Sequence, residues 1–306
     1  MLSLHTNAAA LSTQNSLAST NKALTSSMTK LGTGFRVNSA MDDAAGLQVA
    51  TRLNAQSRGM SVAQKNTQNG ISMLQTAEGA LGEVNNILMR MKDLATESAS
   101  ATSSQKDRDA MQSEFDALGA EMANIVVNTS FGGAALFVAN KAGIATAAGV
   151  LGAAAGATFQ IGASAAEKMT VTFGGATGTA DGTLTDALAN LASVSKEFAA
   201  APAAGAGTEI ATLAGANGMI TTINNAVASV GSLRSALGAG ANRLEHIYNN
   251  LGNMRQNTDA AKGRILDTDY ALETANMTNK QMLMQASSAM LKQSSSMSQM
   301  VASLLQ

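Results

Sequence analysis

The sequence predicts a mainly α-helical protein in which long heptad-patterned helices form a coiled-coil rod with a small β-hairpin region. Three observations predict it. Ile223, Val230, Leu237, Leu244, Leu251 and Ile265 share one heptad phase, with Thr258 in the remaining slot, and Leu233, Ile247, Met254 and Ala261 fall on a companion phase. Leu74, Leu81, Leu88 and Ala95 repeat the spacing in the N-terminal half, with Ala77, Val84 and Met91 beside them. Aromatic residues are 3% of the 306 residues, with no tryptophan, so buried area must come from Leu, Ile, Val, Met and Ala at helix–helix seams. Such seams are covered only by other helices, of the same chain or of its copies.

The elements follow from local signals. A first helix over about 3–31 carries Leu4, Ala8, Leu11, Leu17, Leu24, Met28 and Leu31, and Gly32-Thr33-Gly34 ends it. Asn38-Ser39 offers a new N-cap, with Asp42 and Asp43 in the next first turn, and a short helix continues to about Arg58. A separate long helix over 62–99 would span roughly 55 Å. Ser103-Ser104-Gln105 marks a turn into a helix over 105–127, which carries Met111, Phe115, Leu118, Met122 and Ile125 and pairs back as an antiparallel hairpin.

After Asn128-Thr129-Ser130 the pattern changes. Phe131-Gly132-Gly133 is turn-like, and the alternating runs Thr158–Ile161 and Met169–Phe173 predict a β-hairpin. A short helix over about 186–198 interrupts a Gly/Ala/Thr-rich stretch that holds the single proline, Pro202. The heptad helix then runs over 217–265. A last helix, 270–305, carries a seam at Leu283, Met290, Met297 and Leu304, and pairs with the first helix through complementary stripes. Methionine is frequent in it, and thioethers adapt to changing neighbours.

Composition excludes several functions. The net charge is −1 with 13% charged residues and no basic face, so no nucleic-acid binding is expected. The absence of cysteine removes disulfide and thiolate chemistry. The first residues lack a basic segment followed by an apolar core, so no cleavable signal peptide is expected. Residues 142–157 are too short and too Ala/Gly-rich to span a bilayer and are expected to form a flexible surface segment.

The tempting polar residues have plain explanations. His5 and His246 stand apart, with no His-Glu-x-x-His motif, so no metal site is expected. Asp267 and Asp269 sit at a helix break, where Asp269 serves as a cap. Gly32-x-Gly34 follows no strand and is no phosphate loop. Asn128-Thr129-Ser130 and Asn276-Met277-Thr278 fit a weak glycosylation pattern, the second inside a helix. No catalytic constellation and no cofactor are expected.

Two motif series then carry a family resemblance. Leu31-Gly32-Thr33-Gly34-Phe35-Arg36-Val37-Asn38-Ser39-Ala40 is followed by Asp42-Asp43-Ala44-Ala45-Gly46. Leu237-Gly238-Ala239-Gly240-Ala241-Asn242-Arg243-Leu244-Glu245 leads to Asn249-Asn250-Leu251, Arg264-Ile265-Leu266-Asp267-Thr268-Asp269-Tyr270-Ala271 and the terminal Ser303-Leu304-Leu305. In these the chain resembles bacterial flagellin, over about 1–173 and 217–306.

The resemblance implies a subunit that polymerises into the extracellular flagellar filament for motility, after export as an unfolded chain and assembly at the tip. It implies an inner coiled-coil domain from 1–40 with 266–306. It implies a helical rod domain from 41–173 with 217–265, and a short variable surface-exposed segment, 174–216, in place of large outer domains. The polymerisation seam would comprise Leu4, Leu11, Leu24 and Leu31 with Leu283, Met290, Met297 and Leu304. Implied partners are copies of the chain, an export chaperone at the C-terminal helix, and the filament cap and hook–filament junction proteins. The flagellin-sensing Toll-like receptor would meet Arg90, Leu94 and Glu114, in a segment that departs from many members at Met89, Lys92 and Asp93. Alternatives are a hook–filament junction protein of the same family and a type III secreted translocator. The second would need a strongly apolar helical hairpin that this chain lacks, and no membrane insertion is expected. Polar and lateral filaments are not distinguished.

Overall fold

The computed structural model describes residues 7–137, 149–152, 156–171, 184–195 and 207–304. Its elements in chain order are α1 (Ala8–Thr33), α2 (Ala44–Ser98), α3 (Gln105–Asn128), β1 (Ser130–Phe131), β2 (Ala134–Ala135), β3 (Ala157–Gln160), β4 (Lys168–Val171), α4 (Leu184–Val194), α5 (Leu213–Leu266) and α6 (Tyr270–Leu304). The chain divides into two compact units, Met1–Ser57 with Arg255–Gln306, and Arg58–Met254. The division falls inside α2 and α5, farther from the termini than the domain boundaries the resemblance implies.

In the first unit α1 and α6 pair antiparallel. Asn7 accepts from the Ala10 amide as N-cap and donates from Nδ2 to the Ser294 carbonyl, while Lys280 Nζ donates to Ser27 Oγ farther along. Gly34, at φ 75, ends α1 in the left-handed conformation that glycine adopts without steric cost. Beyond it the two connecting segments join: Phe35 and Asp267 form an antiparallel bridge, the Arg36 amide donates to the Leu266 carbonyl, and the Thr268 amide donates to Gly34. Asp43 itself caps α2, accepting from the Gly46 amide, so it precedes the first turn where the sequence placed it. Asp42 instead accepts from the amides of Asn38 and Ser39 and closes the preceding turn. Asp269 caps α6 as expected, accepting from Ala271 and Leu272.

The second unit holds the main core. Leu74, Ala77, Leu81, Val84, Leu88, Met91 and Ala95 of α2 are buried in one cluster with Phe115 and Met122 of α3 and Ile223, Val230, Leu237 and Leu244 of α5. Both heptad series therefore supply this core, although toward the end of α5 Ile265 and Ala261 are only half-buried and Met254 is 40% exposed. α2 and α3 run antiparallel, with Arg108 donating to the carbonyls of Ser98 and Ser100. Ser104 and Asp107 form a reciprocal capping box at the start of α3.

The expected hairpin is β3–β4, antiparallel with Thr158 opposite Thr170 and Phe159 opposite Met169. A second, two-residue hairpin, β1–β2, turns at Gly132 and Gly133. Their φ values of 61 and 84 match the primed turn that suits the strand twist.

Three sequence expectations change. First, α2 is unbroken, with no separate helices ending near 58 and starting near 62. Gly59 lowers helix propensity by about 1 kcal/mol relative to alanine. Burial of the neighbouring Met60 and Ala63 against Leu251 holds the helix through that position, and a Cβ on Gly59 would meet Ala163 at 2.6 Å.

Second, the 174–216 stretch is not wholly at the surface. Leu184, Ala187, Leu188, Leu191 and Val194 of α4, together with Ile210, are buried in the main core. Full burial of each leucine is worth about 1.5–3 kcal/mol, which fixes a helix of this length.

Third, Leu151 of the expected flexible segment is 1% exposed, and its amide donates to the Leu136 carbonyl. Residues 142–148 and 153–155 lie outside the described residues.

Candidate functional site

The terminal pair presents two distinct faces. Covered or half-covered positions on α1 include Ala10, Thr13, Leu17, Thr20, Leu24, Ser27 and Leu31, at alternating spacings of three and four, with Ala23 and Lys30 beside them. Those on α6 include Met277, Lys280, Met284, Ser287, Leu291 and Ser294, with the same alternation, and Glu273 and Asn276 precede them. This is the heptad geometry of a two-helix seam.

The expected stripe of α6 lies one residue away from that seam. Leu283 is 58% exposed, Met290 64% and Met297 50%, and Met282 and Leu272 beside them are also exposed. The expected pairing of these leucine and methionine positions with α1 is thus replaced by pairing through Met277, Met284 and Leu291. The cause is that both neighbouring phases are apolar, so the register is set by the polar contacts Ser27–Lys280 and Asn7–Ser294. On α1, Leu24 and Leu31 belong to the inner seam, while Leu11 is 61% exposed. Leu4 and the Leu304 side chain lie outside the described residues.

In the second unit, Arg90 of α2 and Glu114 of α3 form an exposed ion pair, with Nη2 to Oε1 at 2.6 Å. The Glu114 carboxylate, by its hydrogen bonds and then its charge, raises the Arg90 guanidinium above its ordinary value. Leu94 does not join them at the surface. It is 2% exposed and packs in the main core, because it continues the buried side of α2. Met89, next to Arg90, is 51% exposed. The structure therefore brings together Arg90 and Glu114, leaves Met89 exposed next to Arg90 in the chain, and buries Leu94 away from the surface.

Other polar clusters bind the chain to itself. Gln112, 3% exposed, donates to Asp116 and Glu209 and accepts from the Ile210 amide, fastening the segment before α5 to α3. Asp259 accepts from Ser57 and lies near Lys262; these hydrogen bonds, that of Ser57 foremost, hold its carboxyl below the ordinary value. The sequence reading missed these contacts. Lys280 could have been found from its place among the apolar residues of α6, whereas Gln112 carried no periodic signal. Among the described residues no group of three or more His, Cys, Asp or Glu is placed to hold a metal ion, and no helix is long and apolar enough to cross a membrane. His246 is exposed, and His5 lies outside the described residues.

Long paired helices, a small hairpin on one of the helical layers and an uncovered apolar stripe on a terminal helix define a helical structural subunit. Comparison with known proteins gives the family. The model of the bacterial flagellin N-terminal helical region matches residues 4–142, and that of the C-terminal helical region matches 220–305. Flagellin C of Vibrio cholerae is 34% identical over 95% of this chain and 96% of its own. Polar flagellin C of Vibrio parahaemolyticus is 33% identical, and flagellin A of Vibrio anguillarum 34%, each over 100% of both chains. A solved chain from Vibrio parahaemolyticus, assigned as a flagellar hook-associated protein, shares the fold at a TM-score of 0.53. It has 17% identity and covers 74% of this chain and 100% of its own.

The chain belongs to the bacterial flagellin family, whose members are structural subunits of the extracellular flagellar filament. Its alignment with the Vibrio cholerae relative runs over 365 positions, more than its 306 residues, so the relative carries insertions that this chain lacks.

Proposed function

We propose that this flagellin joins the filament through the outer face of its terminal helices, with Leu11, Leu283, Met290 and Met297 covered by neighbouring copies of the chain. The observation that carries the reading is the phase offset on α6. The intramolecular seam uses Met277, Met284 and Leu291 and leaves the adjacent apolar phase exposed. A head-to-tail contact whose rotation does not close extends as a helical polymer. Each ordered residue costs about 1–2 kcal/mol of backbone entropy. Ordering is therefore favoured at a growing end, where burial is immediate, over a chance collision in solution.

The chain reaches the tip by export in an unfolded state, with a chaperone on the α6 segment and the cap and junction proteins at the filament ends. The family resemblance supports these partners, and the uncovered apolar stripe gives a chaperone something to hold. The chain acts by packing and not by catalysis. A Toll-like receptor contact would rest on Arg90, Glu114 and Met89. Leu94 would support them from beneath.

The test is elongation of sheared filament seeds followed by electron microscopy. Wild-type protein lengthens the seeds. A variant carrying Leu283→Gln, Met290→Gln and Met297→Gln, which keeps good helix formers, leaves them at their starting length. Equal growth by that variant would reject the outer face as the assembly surface.

A further inference from the structure

Two sets of methionines in this chain stand at opposite extremes of exposure. Met60, Met91 and Met122 are at most 2% exposed, locked inside the second unit. Met282, Met290 and Met297 of α6 are between 50% and 64% exposed, on the face left outside the α1–α6 seam, and Met300 near the end of the same helix is 59% exposed. Met41, in the turn before α2, is 92% exposed and lies on neither helix of the pair.

A thioether accepts one oxygen atom from a peroxide or hypohalous acid. With hydrogen peroxide the sulfur lone pair attacks oxygen, an S–O bond forms, the O–O bond breaks and water leaves. Sulfur is oxidised by two electrons and the peroxide is reduced. The product is a polar, chiral sulfoxide, and thiol-dependent reductases return it to the thioether. Access governs the rate, so the exposed set reacts first.

We infer that Met282, Met290 and Met297 form an oxidation-sensitive modification site that governs the competence of the free subunit to assemble. The inference rests on the assembly role proposed above for the outer face of α6. A sulfoxide on that face places a strong dipole where apolar contact is required, so an oxidised subunit is refused at the filament end. A subunit already in the polymer has the same sulfur atoms covered and is spared. The damage is then confined to subunits not yet incorporated, and it is repairable.

The experiment treats full-length monomer with graded hydrogen peroxide, maps sulfoxides by peptide mass spectrometry and measures seed elongation. Loss of elongation should track sulfoxide at Met282, Met290 and Met297 and reach at least about tenfold when all three are converted. Treatment with methionine sulfoxide reductase and a thiol should restore it. A Met41→Leu variant should show the same sensitivity as wild type, and a Met282→Leu, Met290→Leu, Met297→Leu variant should lose the sensitivity when compared with its own untreated rate. Undiminished elongation with all three sulfurs oxidised, or a loss that persists after the thioethers are regenerated, would overturn the inference while leaving the assembly face intact. Oxidation of assembled filaments separates the two readings. If these methionines react as fast in the polymer as in the monomer, the face is not covered by assembly, and both readings fall together.

Discussion

Lys280 donates from Nζ to the Ser27 hydroxyl at 2.9 Å across the seam between α1 and α6, from a position whose neighbours along the same stripe are Met277, Met284 and Leu291. A polar residue at such a position fixes register at a cost in stability. Lys280→Leu should therefore stabilise the terminal pair, by about 1 kcal/mol, while permitting alternative registers. The check is amide exchange along α1 with cross-linking between the two helices. Slower exchange combined with a wider spread of cross-links is expected, and a single register with faster exchange would contradict it.

Glycines within α2 should respond oppositely to alanine. A Cβ at Gly70 would stand 2.9 Å from the Phe159 ring, which holds β3 against the helix, whereas a Cβ at Gly79 meets nothing within 4 Å. Gly79→Ala should stabilise by about 1 kcal/mol through helix propensity alone. Gly70→Ala gains the same propensity but forces the hairpin outward, an overpacking cost of about 1–3 kcal/mol that outweighs it. Thermal unfolding midpoints of the two variants should move in opposite directions.

Acid should loosen the sites held by these carboxylates before the core. The Ser104 hydroxyl and then its amide hold Asp107 below the ordinary carboxyl value of 3.8, the amides of Ser39 and Asn38 do the same for Asp42, and Ser57 and Lys262 do so for Asp259. A carboxyl whose folded value is depressed contributes stability above its unfolded value and loses it as pH falls through the folded one. Asp107→Asn should thus lower the unfolding midpoint at neutral pH, and the gap from wild type should close below about pH 4. A gap that stayed constant through the acid range would show that the capping box is not held by the charged form.

The buried and exposed members of the implied receptor segment should separate cleanly. Leu94→Ala removes a core side chain and should cost about 2–5 kcal/mol of stability in the second unit. Arg90→Ala breaks only an exposed ion pair and should leave the denaturant midpoint unchanged. A receptor-binding assay on both, run beside denaturant unfolding, should show loss with Arg90→Ala at full stability. Equal destabilisation by the two would contradict the burial difference.

Much of this was legible in the residues. The heptad phases at Leu74–Ala95 and Ile223–Leu251 mark buried faces because seven-residue apolar spacing lines one side of a helix, which other helices of this chain cover here. Asp269, Gly34 and the Gly132-Gly133 pair announced a cap, a stop and a turn through local chemistry. What failed was decided by contacts distant in sequence. The break expected between about 58 and 62 does not occur because the apolar cover over Met60 comes from Leu251, more than half the chain away. The phase of α6 was ambiguous because Leu283–Met284 and Met290–Leu291 place apolar residues on both candidate faces, and only Ser27 and Asn7 choose between them. Leu94 carried its expected role from the resemblance, which says nothing of which way this side chain points.

The inner seam of the terminal pair alternates Leu17, Leu24 and Leu31 with Thr13, Thr20 and Ser27, and faces Ser287 and Ser294 as well as methionine. Hydroxyls at half of these positions weaken the pair, but they also change what happens when it opens. Separated helices then present water with a broken, speckled surface in place of a continuous greasy strip, which lowers the tendency of loose chains to clump. A subunit built in this way can be parted and re-formed many times and still stay dispersed.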